Sequence, residues 1–131
     1  MDITIDTSAI IALITEEQIN LAINKAISDD STLIAPESIH WEIGNAFSAM
    51  FRRLRITFEQ ALDALSIYES IPIRFIKVDL DQSLKIAKDL NTYAYDAYLI
   101  QCAQKYRTPL LTLDQKLAQL AGQAGVKIIE V

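Results

Sequence analysis

Short apolar segments alternate with helical segments along the chain, and this alternation restricts the fold more than any other feature. Five apolar segments predict strands, over 3–6, 33–35, 73–78, 109–113 and 126–131. Between them, apolar residues recur at the three- to four-residue spacing that is typical of helices. Strands that alternate with helices favour a parallel sheet covered on both faces. We therefore expect an α/β fold, a doubly wound parallel sheet of four to five strands with helices on both faces.

Local signals predict where the helices begin and end. We expect helices over about 7–15, 16–28, 37–54, 58–70, 79–90, 93–106 and 115–121. Pro36 suits a helix start, because its fixed φ and missing N–H fit a first turn. Thr57 and Gln60 have the spacing of a capping box. Asp79 or Asp81 is a suitable N-cap for the helix that follows them.

The length and composition favour one compact domain over 1–131 in a reducing compartment. The chain has 131 residues, of which 51% are hydrophobic, with only three Gly and three Pro. No apolar run approaches the roughly 20 residues that cross a bilayer, and the N-terminus lacks a basic signal segment. The single Cys102 cannot form an internal disulfide. We expect a cytoplasmic protein with no membrane partner.

Four acidic residues lie where an isolated charge is unfavourable: Asp6, Glu42, Asp96 and Asp114. Asp6 and Asp114 follow predicted strands, and sites in open parallel sheets form outside the carboxyl ends of the strands. Glu42 borders the apolar stripe of its helix, and Asp96 falls on the core-facing side near the start of another. Carboxylates so close to a core are costly unless they are paired or bound to a cation. Together they predict a divalent-metal site.

Each acid also has a simpler interpretation, which the sequence leaves open. Asp6 and Asp114 could be helix N-caps, and Glu42 could be a solvated flank of its helix. Asp96 could be favoured by the helix macrodipole, although the dipole does not explain its choice of face. The stripe beside Glu42 is formed by Ile39, Ile43, Ala46, Phe47, Met50 and Leu54.

The chemistry of the acids selects the metal. No His or Cys is placed to be a ligand, and oxygen ligands suit Mg²⁺ or Mn²⁺. Such ions commonly activate a water for displacement at phosphorus. We assign His40 and Cys102 to surface or packing roles. Four nearby polar residues could orient ligands or substrate, although each could equally be a cap or turn residue: Thr7, Ser8, Asn45 and Thr112.

The net charge of −5 argues against broad electrostatic capture of nucleic acid, but a local basic strip is present. Arg52, Arg53 and Arg55 form the densest basic cluster. Arg53 follows Glu42 by eleven residues, about three turns, so it returns to a similar face roughly 16 Å along the axis. This strip could guide an RNA backbone to the metal, or it could be a solvated helix end that opposes the dipole.

Aromatic residues are candidates for contacts with a partner. They are Trp41, Tyr93, Tyr95 and Tyr98, and we expect core packing for at least two of them.

The chain resembles a PIN domain, and specifically the compact VapC-type toxin nucleases of toxin–antitoxin pairs. The resemblance covers essentially the whole chain. It rests on four short motifs in order: Asp6-Thr7-Ser8-Ala9, Glu42-Ile43-Gly44-Asn45-Ala46, Tyr95-Asp96-Ala97-Tyr98 and Leu111-Thr112-Leu113-Asp114-Gln115-Lys116-Leu117.

The resemblance implies a metal-dependent endoribonuclease that uses water as the nucleophile. Asp6 and Asp96 would be the firmest ligands of Mg²⁺ or Mn²⁺. Glu42 would be a ligand, directly or through water, and would help to place the nucleophile. Asp114 would complete the cluster through a bound water. The resemblance also implies a homodimer and a cognate antitoxin that brings a basic side chain to the acids.

Other protein classes fit the sequence less well. A receiver-like phosphoacceptor module needs adjacent acids after its first strand, whereas Thr7 and Ser8 follow Asp6. A haloacid-dehalogenase-type phosphatase needs an Asp at the position of Ser8. A PIN fold used only for binding remains an alternative, and the four intact acids argue against it.

Overall fold

The computed structural model describes residues 1–15, 17–27 and 30–131. The strands are β1 (Asp2–Ile5), β2 (Thr32–Pro36), β3 (Ile73–Ile76), β4 (Leu110–Leu111) and β5 (Ile128–Ile129). The helices are α1 (Thr7–Thr15), α2 (Glu17–Ala26), α3 (Ile39–Arg52), α4 (Phe58–Ser70), α5 (Leu80–Leu90), α6 (Ala94–Tyr106) and α7 (Gln115–Gln123). The predicted helix limits at Glu16 and Ser28 lie outside the described residues.

The five strands form one parallel sheet in the order β3-β2-β1-β4-β5. The chain first builds outward from β1 through β2 to β3, and then adds β4 and β5 on the other side of β1. The strand order therefore reverses between β1 and β4, which creates a crevice at their carboxyl ends. The predicted α/β fold is confirmed.

Two layers of helices accompany the sheet. α6 packs against β1 and β2 and pairs with α5, whereas α1 contacts α2, α3 and α4. The central strand β1 is buried throughout its apolar part, and Ile3 and Ile5 are fully inaccessible to solvent. Its one buried polar side chain, Thr4, bonds the Thr108 hydroxyl at 2.6 Å and lies 3.4 Å from the Cys102 sulfur. Cys102 is buried, as its predicted packing role requires.

Pro36 does not begin a helix; it ends β2, where it pairs with Ile76. Pairing of β2 with β1 ends earlier, at Ile34, so the missing N–H of Pro36 has no strand partner to lose on that side. α3 begins at Ile39 instead. The predicted strands of 73–78, 109–113 and 126–131 are also longer than the observed β3, β4 and β5, because parallel pairing stops where a neighbouring strand ends.

α3 ends at Arg52, so Leu54 does not belong to its apolar stripe. Leu54 adopts a left-handed conformation with φ of 57° and is 90% exposed. The N–H groups of Leu54 and Arg55 donate to the carbonyls of Phe51 and Met50. These two bonds form a Schellman motif, which ends a helix and places a left-handed residue after the cap.

Two helix starts test the predicted caps. The capping box of Thr57 and Gln60 is confirmed, with reciprocal bonds of 2.9 and 3.1 Å. Asp79 occupies the N-cap of α5, but its side chain makes no capping bond because it is held by α6. Among the described residues, no helix has the length and apolar character to cross a membrane.

Candidate active site

Asp6 lies directly after β1, in the crevice where the strand order reverses, and is 4% exposed. Its carboxylate accepts bonds from the Ser8 hydroxyl at 2.8 and 2.9 Å, from the Thr112 hydroxyl at 2.5 Å and from the Ala9 N–H at 3.0 Å. The last bond caps α1, so the capping interpretation of Asp6 is correct. The three bonds from the two hydroxyls fix the carboxylate beyond what a cap requires.

The two hydroxyls are themselves oriented by the backbone near β4. Ser8 Oγ accepts from the N–H of Leu113 at 2.9 Å, and Thr112 Oγ1 accepts from the N–H of Asp114 at 3.0 Å. Each hydroxyl therefore has its proton free to point at Asp6. The predicted supporting roles of Ser8 and Thr112 have a physical basis in these contacts.

Glu42 lies in the first turn of α3 and is partly buried. Within the described residues, three buried oxygens here have no hydrogen-bond partner: Glu42 Oε2, Thr7 Oγ1 and Ser38 Oγ. The hydroxyls of Thr7 and Ser38 lie near enough to favour the charged carboxylate without reaching hydrogen-bonding geometry with Oε2. Buried polar atoms are normally satisfied, so these three indicate a missing polar or ionic partner.

Asp96 and Asp114 occupy the starts of two other helices. Asp96, in the first turn of α6, is partly buried and accepts from the Thr92 hydroxyl at 2.9 Å. Asp114 is exposed, and its Oδ1 accepts from the Leu117 N–H at 3.1 Å as the N-cap of α7. The capping interpretation of Asp114 is therefore correct, and its second carboxylate oxygen is left for other contacts.

Electrostatic repulsion acts between neighbouring carboxylates in the order Asp96, Glu42, Asp6 and Asp114. Burial raises the pKa of Glu42 to about 7, and the charges of Asp6 and then Asp96 contribute to the rise. Burial also raises the pKa of Asp6 above its usual range, despite its hydroxyl and N–H donors, and Asp114 adds to this shift. All four acids thus lie at one edge of the sheet and act on their neighbours.

The donor set fits a hard divalent cation, because it consists of carboxylates and hydroxyls with an unpartnered carboxylate oxygen at its centre. In the described part of the chain, however, no three acidic, His or Cys side chains already lie close enough to hold a metal together. Direct ligation by all four acids stays a prediction.

The remaining predicted residues flank this edge. Asn45 is exposed on α3, one turn beyond Glu42. Arg52 and Arg53 are exposed at the end of α3, and neither forms an ion pair with a described residue.

The expectation that at least two of the four aromatics pack in the core is wrong. Trp41, Tyr93 and Tyr95 are 69%, 85% and 48% exposed, and only Tyr98 is half-buried. The three exposed rings lie at the starts of α3 and α6, where the described fold leaves them uncovered. Sequence reasoning also missed Ser38. It lies directly before α3 and belongs to no recognisable motif.

The fold and the site together define a class: an α/β protein with an acidic centre at the point where the strand order of a parallel sheet reverses. A sequence profile described as "PIN domain" matches residues 3–123. The chain belongs to the PIN domain family. No curated protein matches its sequence.

Solved structures share this fold. PAE2754 from Pyrobaculum aerophilum aligns with a TM-score of 0.74 and 22% identity over 98% of this chain and 84% of that one. VapC20 of Mycobacterium tuberculosis, a sarcin–ricin loop cleaving toxin, aligns with a TM-score of 0.66 and 17% identity over 98% and 99%. VapBC2 from Rickettsia felis, bound to a promoter DNA fragment, aligns with a TM-score of 0.65 and 15% identity over 98% and 97%.

Proposed function

We propose that the chain is a divalent-metal-dependent endoribonuclease, the toxin of a VapBC-type toxin–antitoxin pair, and that residues 1–131 act as one domain. The observation that carries the proposal is the series of four acids at the reversal point of the sheet. The PIN family and the toxin structures that share the fold support it. Membership of the PIN family also argues against the receiver and phosphatase alternatives.

The residues of the site have different roles in the proposed hydrolysis. Mg²⁺ or Mn²⁺, held by Asp6 and Asp96 with help from Glu42 and Asp114, would supply a Lewis acid and a more acidic water. Asp6 is held in one orientation by neutral donors. Glu42, which lies among these acids, would help to place the attacking water.

Cleavage of structured RNA tests this proposal. Purified wild type and Asp96→Asn are compared with Mg²⁺, with Mn²⁺ and with chelator. We expect cleavage only by wild type with metal. Equal cleavage by both proteins, or cleavage that persists in chelator, would contradict the assigned site.

We further propose that Arg52 and Arg53 guide the RNA backbone toward the acids. Two exposed cations without ion-pair partners among the described residues are available for phosphates. The nearby rings of Phe51 and Phe58, with centroids 5.9 Å apart, offer an apolar surface beside them.

An Arg52→Ala/Arg53→Ala double variant should bind RNA more weakly and reduce the salt slope of binding by about one for each phosphate that is no longer neutralised. A Lys88→Ala/Lys127→Ala double variant removes the same charge from surfaces away from α3 and is the matched control. If both double variants weaken binding equally, the strip does not guide RNA.

A cognate antitoxin and a homodimer complete the proposal. The toxin–antitoxin complexes that share the fold support an antitoxin, and the exposed Trp41 and Tyr93 supply surface for protein contacts. Light scattering should give twice the 14.7 kDa of the chain. The product of a neighbouring gene should co-purify with the protein and inhibit its cleavage of RNA; a monomer, or no such gene product, would refute the corresponding part.

A further inference from the structure

A cavity of about 190 Å³ opens at the carboxyl edge of the sheet, outside the ends of β2 and β3. It is one strand away from the crevice that holds Asp6, and its lining comes from the segment before α3, the end of β3, the start of α5 and the middle of α6. We call it the β3 cavity. Its volume lies below the roughly 300–1,000 Å³ of sites for drug-sized ligands, so it suits one flat ring system.

The β3 cavity adjoins the acidic centre through Ser38. Ser38 lines the cavity, and its carbonyl accepts the N–H of Glu42 at 3.2 Å in the first turn of α3. Ser38 and Glu42 are therefore one helical turn apart, a rise of about 5.4 Å. This proximity makes a nucleotide beside the cleaved phosphate a candidate occupant of the cavity.

The walls of the cavity combine an aromatic ring with apolar side chains. Tyr98 of α6 is half-buried, and Val78 and Leu80 lie beside it. Leu80 is 61% exposed, so this apolar surface is open to a ligand. Unstacked RNA bases are bound by aromatic rings in this way, because every base offers a flat π-face.

Polar groups at the cavity can discriminate between RNA bases and can contact the RNA backbone. The Ser38 hydroxyl is buried near Glu42, so the accessible polar side chains of the cavity are those of Glu37 and Lys77. Glu37 is exposed at the same wall and can accept from the exocyclic amine of cytosine or adenine. Lys77 is exposed there too, with no ion-pair partner in the described part of the chain, and it can contact a phosphate.

We propose that the β3 cavity binds one base of single-stranded RNA beside the cleaved phosphate, with Tyr98 stacking on the base and Glu37 selecting bases that carry an amino group. This inference rests on the proposed nuclease function, since it names the substrate contact that sets sequence preference. Tyr98 and Glu37 are specificity residues and take no part in proton transfer.

Binding of labelled RNA tests the cavity separately from cleavage. Fluorescein-labelled eight-nucleotide oligomers of A, C and U are titrated with the full chain in Mg²⁺, and anisotropy is read while gels show them intact. We expect wild type to bind the A and C oligomers more tightly than the U oligomer. Equal affinity for all three would overturn the proposal and indicate another ligand, such as a side chain of a partner protein.

Variants of the aromatic wall isolate the stacking contact. Tyr98→Leu should weaken binding of the preferred oligomer about tenfold, the effect of removing one base–aromatic stack. Tyr98→Phe keeps a ring and should retain the preference. Tyr95→Leu removes an exposed tyrosine whose ring contacts Tyr98 without lining the cavity, and it should change affinity less than about twofold. Unchanged affinity of folded Tyr98→Leu for the preferred oligomer would refute stacking.

Variants of the exposed polar groups keep the test informative if Tyr98→Leu does not fold. Glu37→Gln should reduce the discrimination against U about fivefold, a change within the range for one side-chain contact to a base edge. Glu130→Gln removes the same charge at the far edge of the sheet and should leave the discrimination unchanged. Lys77→Ala should weaken all three oligomers alike and lower the salt slope by about one. Discrimination that survives Glu37→Gln would overturn its selecting role.

The same proteins then cleave a randomised RNA pool whose cut ends are sequenced. Wild type should prefer A or C at one position beside the cut. Tyr98→Leu should lose this preference and keep any preference at other positions. Base-selective binding without any cleavage by wild type would refute the nuclease proposal and leave the cavity assignment standing. Cleavage with no positional preference would refute the cavity and leave the nuclease standing.

Discussion

Two aspartates follow parallel strands at the same edge of this sheet, and they are satisfied in opposite ways. Asp79, after β3, receives the Lys105 ammonium at 3.2 Å and the side-chain amide of Gln101 at 3.4 Å. Asp6, after β1, receives only two hydroxyls and one backbone N–H from the residues that the structure describes. Asp6 is the more deeply buried of the two, yet none of its hydrogen-bond donors carries a charge.

The difference separates an acid whose charge is balanced by a cation of the chain from an acid whose charge no described cation balances. Lys105 neutralises Asp79 and ties α5 to α6. Neutral donors fix the orientation of Asp6 but leave its negative charge uncompensated, which is costly in a buried position. Identical substitutions at the two acids should therefore have different effects.

The largest difference is expected in catalysis. Asp6→Asn should lower RNA cleavage at least ~100-fold, because even partners that only orient a metal ligand cost about 10- to 100-fold. Asp79→Asn removes a carboxylate from the same edge and should keep cleavage within about threefold of wild type, since a partly exposed ion pair is worth about 1 kcal/mol or less. Initial rates are compared after circular dichroism shows that both variants fold. Equal losses of cleavage in Asp6→Asn and Asp79→Asn would contradict the different roles assigned to the two acids.

The second largest difference between variants of the two acids is expected in stabilisation by Mg²⁺. At 100 times its Kd, Mg²⁺ should raise the free energy of unfolding of wild type by about 2.7 kcal/mol. Asp79→Asn should show the same rise, whereas Asp6→Asn and Asp96→Asn should show little. Thermal unfolding with and without chelator measures the effect. A full Mg²⁺ response in Asp6→Asn would place the metal elsewhere.

The supporting groups should differ in their contribution to stability. Thr112→Val removes a hydroxyl that donates to buried Asp6, and it should cost about 1.5–3 kcal/mol. Thr112→Ser keeps the hydroxyl and is the control for this change. Lys105→Gln breaks the partly exposed pair with Asp79 and should cost about 1 kcal/mol or less. Urea unfolding gives all three values, and a larger cost for Lys105→Gln would reverse the expected order.

The smallest effect is the pH dependence of the metal-free protein. The pKa of Glu42 is about 7 in the folded state and 4.5 when unperturbed, so the folded state binds more protons between these values. The free energy of unfolding should therefore fall as pH rises from 4.5 to about 7, by an amount on the order of 1 kcal/mol for this partly exposed group. The raised pKa of Asp6 acts in the same direction.

Glu42→Gln should flatten this dependence, because the amide resembles the protonated acid. Urea unfolding in chelator across that pH range provides the measurement. A wild-type stability that rises with pH, or a Glu42→Gln curve that matches wild type, would show that Glu42 is not the source.

The parallel α/β fold and the edge at which the acids lie could be predicted from the sequence, because both follow from local patterns. Asp6 lies next to an apolar strand in the sequence itself, and the sheet then carries it to the crevice. For Asp114 the cap and ligand interpretations are compatible, because one carboxylate oxygen caps α7 and no hydrogen bond from a described residue occupies the other.

What could not be predicted depends on residues that are distant in sequence. The bond between Asp79 and Lys105 spans 26 residues, so no local pattern favours it over a helix cap. Among the described residues, the hydroxyls of Thr7 and Ser38 lack hydrogen-bond partners. This can be seen only in the packed arrangement of α1 and α3, and not in the sequence. The spacing of Leu54 predicts a place in the apolar stripe of α3, but the helix ends at Arg52 and Leu54 is left-handed.

The bond from Thr112 to Asp6 ties the acidic centre to the order in which the chain is synthesised. It joins residues 106 positions apart, and β1 gains its β4 neighbour only when that part of the chain exists. At synthesis rates of about 5–20 residues per second, Asp6 waits roughly 5–20 s for this partner. A ribosome-bound fragment that ends before β4 therefore carries Asp6 without its final geometry, and the acidic centre is completed only after β4 has been synthesised.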